Sequence, residues 1–149
     1  MRILTVSQPW AWAIIHGGKD VENHGRNVAG TWRGAIAIHA GTREDTSARS
    51  HPEIQRLARD VWWTSPADLL NGRFDQFGHI LGVVDLVDVH HWSDCLDEVF
   101  GCSPWAMSDA YHLVLPNPRP LREPIPYRGA LGPRRLDADT TQQILDAIA

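Results

Sequence analysis

His79-Ile80-Leu81-Gly82-Val83-Val84-Asp85-Leu86-Val87-Asp88-Val89-His90 is the longest β-branched stretch of the chain, and its reading decides the fold. Apolar residues run through it almost without alternation, the pattern of a strand covered on both faces or lying at a barrel seam. Such a strand needs neighbours, and the chain offers several short ones. Ile3 to Val6, Asp20 to His24, Trp32 to Ala40 and Tyr111 to Leu115 read as strands, and Gly129 to Leu136 as a last pairing segment. Pro116-Asn117-Pro118-Arg119-Pro120 is expected to turn the chain.

Helix signals lie between and around these strands. Ser7 is placed to cap a helix over Gln8 to His16, with Pro9 in its first turn, Trp10, Ala13 and Ile14 at helical spacing, and Gly17-Gly18 as its stop. Thr42-x-x-Asp45 and Ser50-x-x-Glu53 resemble successive helix starts, the second followed by an Ile54, Leu57, Val61 and Trp62 stripe. Residues 64–78 read as a polar loop, Ser93 to Phe100 as a short helix, and Thr140-x-x-Gln143 as the capping box of a terminal helix. Strands interleaved with helices, without regular βαβ alternation, predict an α+β fold with a mainly β core: a small β-barrel with peripheral helices. One domain is expected over residues 1–149, with a helical insertion around 42–78 and a C-terminal helix around 140–148.

At 149 residues, 43% hydrophobic and 21% charged, the chain has the size and composition of a folded domain rather than a disordered tail. A net charge of −4 and a pI near 6.0 exclude a broadly basic nucleic-acid binder, so any phosphate contact is local. No apolar run reaches the ~18 residues of a membrane span and no signal-peptide pattern opens the chain; a cytoplasmic protein without a membrane partner is expected. Cys95 and Cys102 lack a Cys-x-x-Cys spacing, and the histidines lack a ligand spacing. Neither a metal site nor a cofactor is expected.

Of 14 basic residues all but one are arginine, and Lys19 is the exception. It follows the helix stop directly, where a cation complements the helix dipole, but arginine would serve there equally well. Lysine differs in offering a compact ammonium that reaches a phosphate or carbonyl as a point charge. Glu22 and His24, two residues apart on a strand, are expected to converge beside it. His39, near the end of its strand, is expected to join them at a barrel mouth. Trp10 and Trp62 lie on apolar stripes and are expected to pack, whereas Trp12 and Trp63 fall off those stripes and are candidates for a base-stacking platform.

The same residues carry a family resemblance. Leu4-Thr5-Val6-Ser7-Gln8-Pro9-Trp10-Ala11-Trp12, Gly18-Lys19-x-x-Glu22-x-His24, Trp32 to Ala40 and Ile80 to Asp88 follow one another as in an ASCH (activating-signal-cointegrator homology) domain. Tyr111 to Leu115, Pro124 to Gly129 and Leu136 extend the likeness over nearly the whole chain. This resemblance implies a PUA-like β-barrel whose cleft beside the lysine binds RNA or another nucleic acid. Two positions depart from the family pattern: His24 stands where an arginine is usual, and Pro133-Arg134-Arg135 where a tryptophan often closes the barrel. Some small members resemble amidohydrolases that deacetylate N4-acetylcytidine with a threonine at the place of Glu22.

The first expectation is therefore a module binding RNA, another nucleic acid or a modified nucleotide. Lys19 with Arg33 or Arg128 would hold phosphate, Gln8 and Glu22 would bond a base or sugar, and Ser7, Trp12, His24 and His39 would complete the site. The alternative is a nucleoside or RNA hydrolase in which Lys19 stabilises charge and Glu22 activates water. A protein-interaction domain that keeps the fold without this chemistry is a third.

Overall fold

The computed structural model describes residues 1–60, 76–95 and 102–148. The chain opens with β1 (Arg2–Gln8), α1 (Trp10–His16), β2 (Val21–His24) and β3 (Gly34–Glu44). A 3-10 turn (Thr46–Ser50) and α2 (Pro52–Asp60) follow, then β4 (His79–Leu86), β5 (Asp88–His91), β6 (Tyr111–Val114), β7 (Arg119–Pro126), β8 (Arg134–Arg135) and α3 (Ala138–Ala147). Hydrogen bonds order the strands into a five-stranded sheet, β7-β4-β3-β1-β8, and a three-stranded sheet, β2-β6-β5. β1 and β3 run parallel and the other ladders are antiparallel. The fold is thus α+β with mixed sheets. The expected barrel needs correction, because among the described residues no ladder joins the two sheets into a closed ring.

β4 lies inside the larger sheet and is covered on both faces, which is why its sequence does not alternate. Leu81, Val84 and Leu86 pack with Ala11, Ile14 and Ile15 of α1 and Leu113 of β6. Ile80 and Val83 pack with Leu121, Leu136 and Ile144 of α3. Gly82 permits this closeness: a Cβ there would lie 2.7 Å from the Arg119 carbonyl oxygen and 2.8 Å from Ile15 Cδ1.

Several local expectations change in the fold. The stretch His79 to His90 is two strands, because the chain leaves the larger sheet at the exposed Val87, whose N–H donates to the Val114 carbonyl at 3.1 Å, and joins β6. The proline-rich segment turns at Asn117 (φ 59°) but is strand from Arg119 onward. As β7 it occupies a sheet edge, where missing proline N–H groups cost little. Arg119 fixes it there through two bonds to Asp85, at 2.7 and 3.1 Å. Thr42 does not start a helix. It extends β3, and Asp45 instead caps the 3-10 turn by accepting from Ser47 N–H at 3.0 Å.

The expected caps also move. Ser7 belongs to β1, and Gln8 Oε1 accepts the Trp12 N–H at 3.0 Å in its place. His51 rather than Ser50 meets the start of α2, its Nδ1 accepting from Glu53 N–H at 3.2 Å. Asp137 rather than Thr140 caps α3, accepting the Thr140 N–H at 2.7 Å. Ile54 and Leu57 are buried as their stripe predicts. Val61, Trp62, Trp63, the loop over 64–75 and residues 96–100 of the expected short helix lie outside the described residues. No helix among the described residues is long and apolar enough to cross a membrane.

Candidate functional site

α1 ends where Gly17 N–H bonds the Ala13 carbonyl and Gly18 takes φ 73°, a backbone conformation suited to glycine. That stop turns Lys19 inward. Lys19 is 3% exposed, and its Nζ donates to the Val21 carbonyl and to Glu22 Oε2, the latter at 2.7 Å. An ammonium has three N–H groups, so two are accounted for. The pair forms one wall of a cleft of about 530 Å³.

The other walls come from distant segments. Trp10 of α1, His51 before α2 and Trp105 form an aromatic cluster: His51 stacks on Trp105 at 5.4 Å and 7°, and Trp10 meets both rings edge-on at 5.1 and 6.5 Å. Asp45 accepts the Trp10 indole N–H at 2.8 Å. Ser47 and then Trp10 hold the Asp45 carboxyl below its ordinary range by donating to it. Burial, followed by the Lys19 charge, lowers the His51 pKa, so this ring is neutral near pH 7. Asn23 anchors the remaining wall, donating to the Trp105 carbonyl at 2.9 Å and accepting the Met107 N–H at 2.9 Å.

The cleft gathers only part of the expected set. Ser7, Lys19 and Glu22 line it. Gln8 is buried as the helix cap, and Trp12 packs among core residues with its ring tilted on His16 at 5.6 Å. His24 lines a different cleft, with Leu4 and Thr5, although the Glu22 and Lys19 charges both act on its ring. His39 is buried against the Tyr127 carbonyl, which its Nε2 meets at 2.9 Å. Arg33 bonds the carbonyls of Gly30 and Trp32. Arg128 is exposed and lines none of these clefts. In place of Trp12, the ring beside Lys19 is Trp10, with Nζ 5.9 Å from its centroid. An apolar stripe predicted Trp10 as packing; it packs against the core clusters and also lines the cleft.

Sequence reasoning passed over Trp105, His51 and Asp45, which no local pattern links to Lys19. The lack of a short ligand spacing argued against a metal site, yet the fold draws together His90, Cys95, Cys102 and His112, whose ligand-type atoms all lie within 4.8 Å of one another. Short spacings do not reveal that cluster, because the pairing of β5 with β6 brings its histidines together. A spacing search wide enough to take His-x4-Cys-x6-Cys-x9-His would have found it.

Similar folds occur in solved structures. ZmASCH from Zymomonas mobilis matches with a TM-score of 0.53 and 15% identity, covering 99% of this chain and 95% of that one. A tyrosine-to-phenylalanine variant of ZmASCH matches with a TM-score of 0.56 and 16% identity, over 99% and 98% of the two chains. This chain has the ASCH fold. No family model matches the sequence, and no curated protein does. The ASCH likeness expected from the ordered sequence blocks thus holds at the level of architecture, over nearly the whole length.

Proposed function

We propose that this ASCH-fold protein is a binding module for RNA, another nucleic acid or a modified nucleotide, and that its cleft takes a single base or nucleoside. The observation that carries this reading is the juxtaposition of the buried Lys19–Glu22 pair, 2.7 Å apart, with the Trp10, His51 and Trp105 rings around one cavity of about 530 Å³. Aromatic faces supply stacking for ~1–3 kcal/mol per base, and Glu22, Asn23 and Asp45 supply edge-reading acceptors and a donor. Lys19 is the one permanent cation among the cleft-lining residues, beside two carboxylates. That balance suits a base with one phosphate better than a polyphosphate track.

Binding of nucleosides, nucleotides and short RNA is followed by tryptophan fluorescence. The expected salt dependence is shallow, with a slope of about −0.7 in log K against log salt for the single phosphate contact. Lys19→Ala, checked for folding by circular dichroism, weakens binding, and Ser50→Trp, on the exposed rim, blocks it. Binding unchanged in both folded variants removes the cleft from the reading.

A second reading rests on the Glu22 carboxylate bonded to Lys19: as a base it would activate water against an acylated nucleoside. Turnover abolished in a folded Glu22→Gln variant supports it. No turnover by the wild-type chain on such substrates leaves binding as the function.

A further inference from the structure

We propose that His90, Cys95, Cys102 and His112 form a structural site for a zinc-class divalent cation. Antiparallel pairing of β5 and β6 sets His90 opposite His112. Their rings meet nearly perpendicular, 5.3 Å apart and at 82°. Cys95 follows the short 3-10 turn at the end of β5, and Cys102 approaches from the chain that returns toward β6.

The distances have the proportions of a coordination polyhedron. His90 Nε2 lies 3.6 Å from Cys95 Sγ and 3.4 Å from Cys102 Sγ, and His112 Nδ1 lies 3.4 and 3.0 Å from the same two sulfurs. A tetrahedral ion with bonds of ~2.3 Å to sulfur and ~2.0–2.1 Å to nitrogen has S···N edges of about 3.5 Å. Hydrogen bonding alone satisfies this group poorly: two thiols carry two protons, yet four close S···N contacts are present.

A second, independent observation comes from the far side of each ring. His90 Nδ1 meets Asp88 Oδ2 at 2.7 Å, and His112 Nε2 meets the Met107 carbonyl at 2.8 Å. Both partners accept, so these nitrogens carry the protons and the opposite nitrogens present lone pairs to the thiols. Carboxylate and carbonyl backing of this kind orients the histidines of metal sites. Two cysteines and two histidines make a closed ligand set with no position for a reactant, which assigns the ion a structural role.

The site also has a place in the architecture. Beyond Cys102, Ser103 donates to Asp20, and Asn23 bonds both Trp105 and Met107, so a cation at Cys102 and His112 clips the segment that walls the cleft to its neighbouring sheet. Metal binding itself does not depend on what the cleft binds.

Co2+ is the probe. The reduced full-length chain, stripped with a chelator, is titrated with Co2+ and read by visible absorption and circular dichroism. One equivalent is expected to give the intense visible bands of tetrahedral cobalt with thiolate-to-cobalt charge transfer, and Zn2+ should bleach them. Should the stripped chain lose structure, Co2+ is expected to restore structure and bands together. Cys102→Ser loses about half of the charge-transfer intensity, one of two Co–S bonds being removed, and Asp88→Asn weakens Co2+ binding by ~10–100-fold while leaving the ligands in place. The proposal is overturned if the reduced protein gives no tetrahedral bands, or if a Cys95→Ser, Cys102→Ser double variant keeps them.

Discussion

Lys19 sits in a place where most proteins avoid an ammonium, 3% exposed and facing a carboxylate whose side chain is only 14% exposed. Removing one member of such a pair strands the other, at a cost of ~3–5 kcal/mol for well-buried pairs. Lys19→Ala is therefore expected to lower the urea midpoint by far more than a surface lysine, and the double change Lys19→Met with Glu22→Leu to recover most of the loss. Equal midpoints for wild type and Lys19→Ala would place the pair among weak surface contacts. Lys19 and Glu22 were legible in the sequence, because one lysine among arginines marks a position and the helix stop beside it is a local signal. Trp10 was half legible: periodicity gives the face a residue turns inward, but not that the same residue also lines a cleft. His24 and His39 share strands with cleft residues or their neighbours, and the packing around each strand sends them elsewhere.

At the scale of elements, β4 is packed on both faces and leaves little room for change. A Cβ at Gly82 would collide at once with the Arg119 carbonyl of β7 and with Ile15 of α1. Gly82→Ala must push one of them away, and overpacking of this kind costs ~1–3 kcal/mol. A denaturation midpoint lowered accordingly is expected, and an unchanged midpoint would mean that β7 shifts freely. The strands were legible as a set because apolar, β-branched runs are local. Their edges were not: prolines in β7 read as a turn until the sheet order shows that an edge needs few N–H donors. Likewise the break at Val87 reflects a change of partner strand, which no window of sequence contains. The caps moved by a residue or more for a related reason, since Gln8, Asp45 and Asp137 each compete with a nearby polar residue and backbone geometry selects among them.

Across the whole molecule, burial acts on several histidines at once. Desolvation is the first cause lowering the pKa of His16, His24, His39 and His51. An unfolded imidazole takes its proton near ~6.5, and the folded chain resists it, so this contribution to stability is complete above that pH and is lost as pH falls below it. Asp45 and Asp85, held low chiefly by Ser47 and Arg119 respectively, add a second loss as pH drops below the ordinary carboxylate value of ~3.9. Denaturation midpoints that decline in two stages with acidification are expected, and midpoints flat from about pH 7.5 to about pH 5 would contradict the histidine stage. By itself the sequence determined the strand-rich α+β character, the doubly buried central strand and the singular lysine, because each is written in neighbouring residues or in composition. Only the tertiary structure decided the open pair of sheets, the aromatic walls around Lys19 and the meeting of His90 and His112 with two thiols. The walls around Lys19 depend on contacts such as Asn23 to Trp105, 82 residues apart, a separation that leaves no period in the chain, and the imidazoles meet the thiols only because β5 pairs with β6.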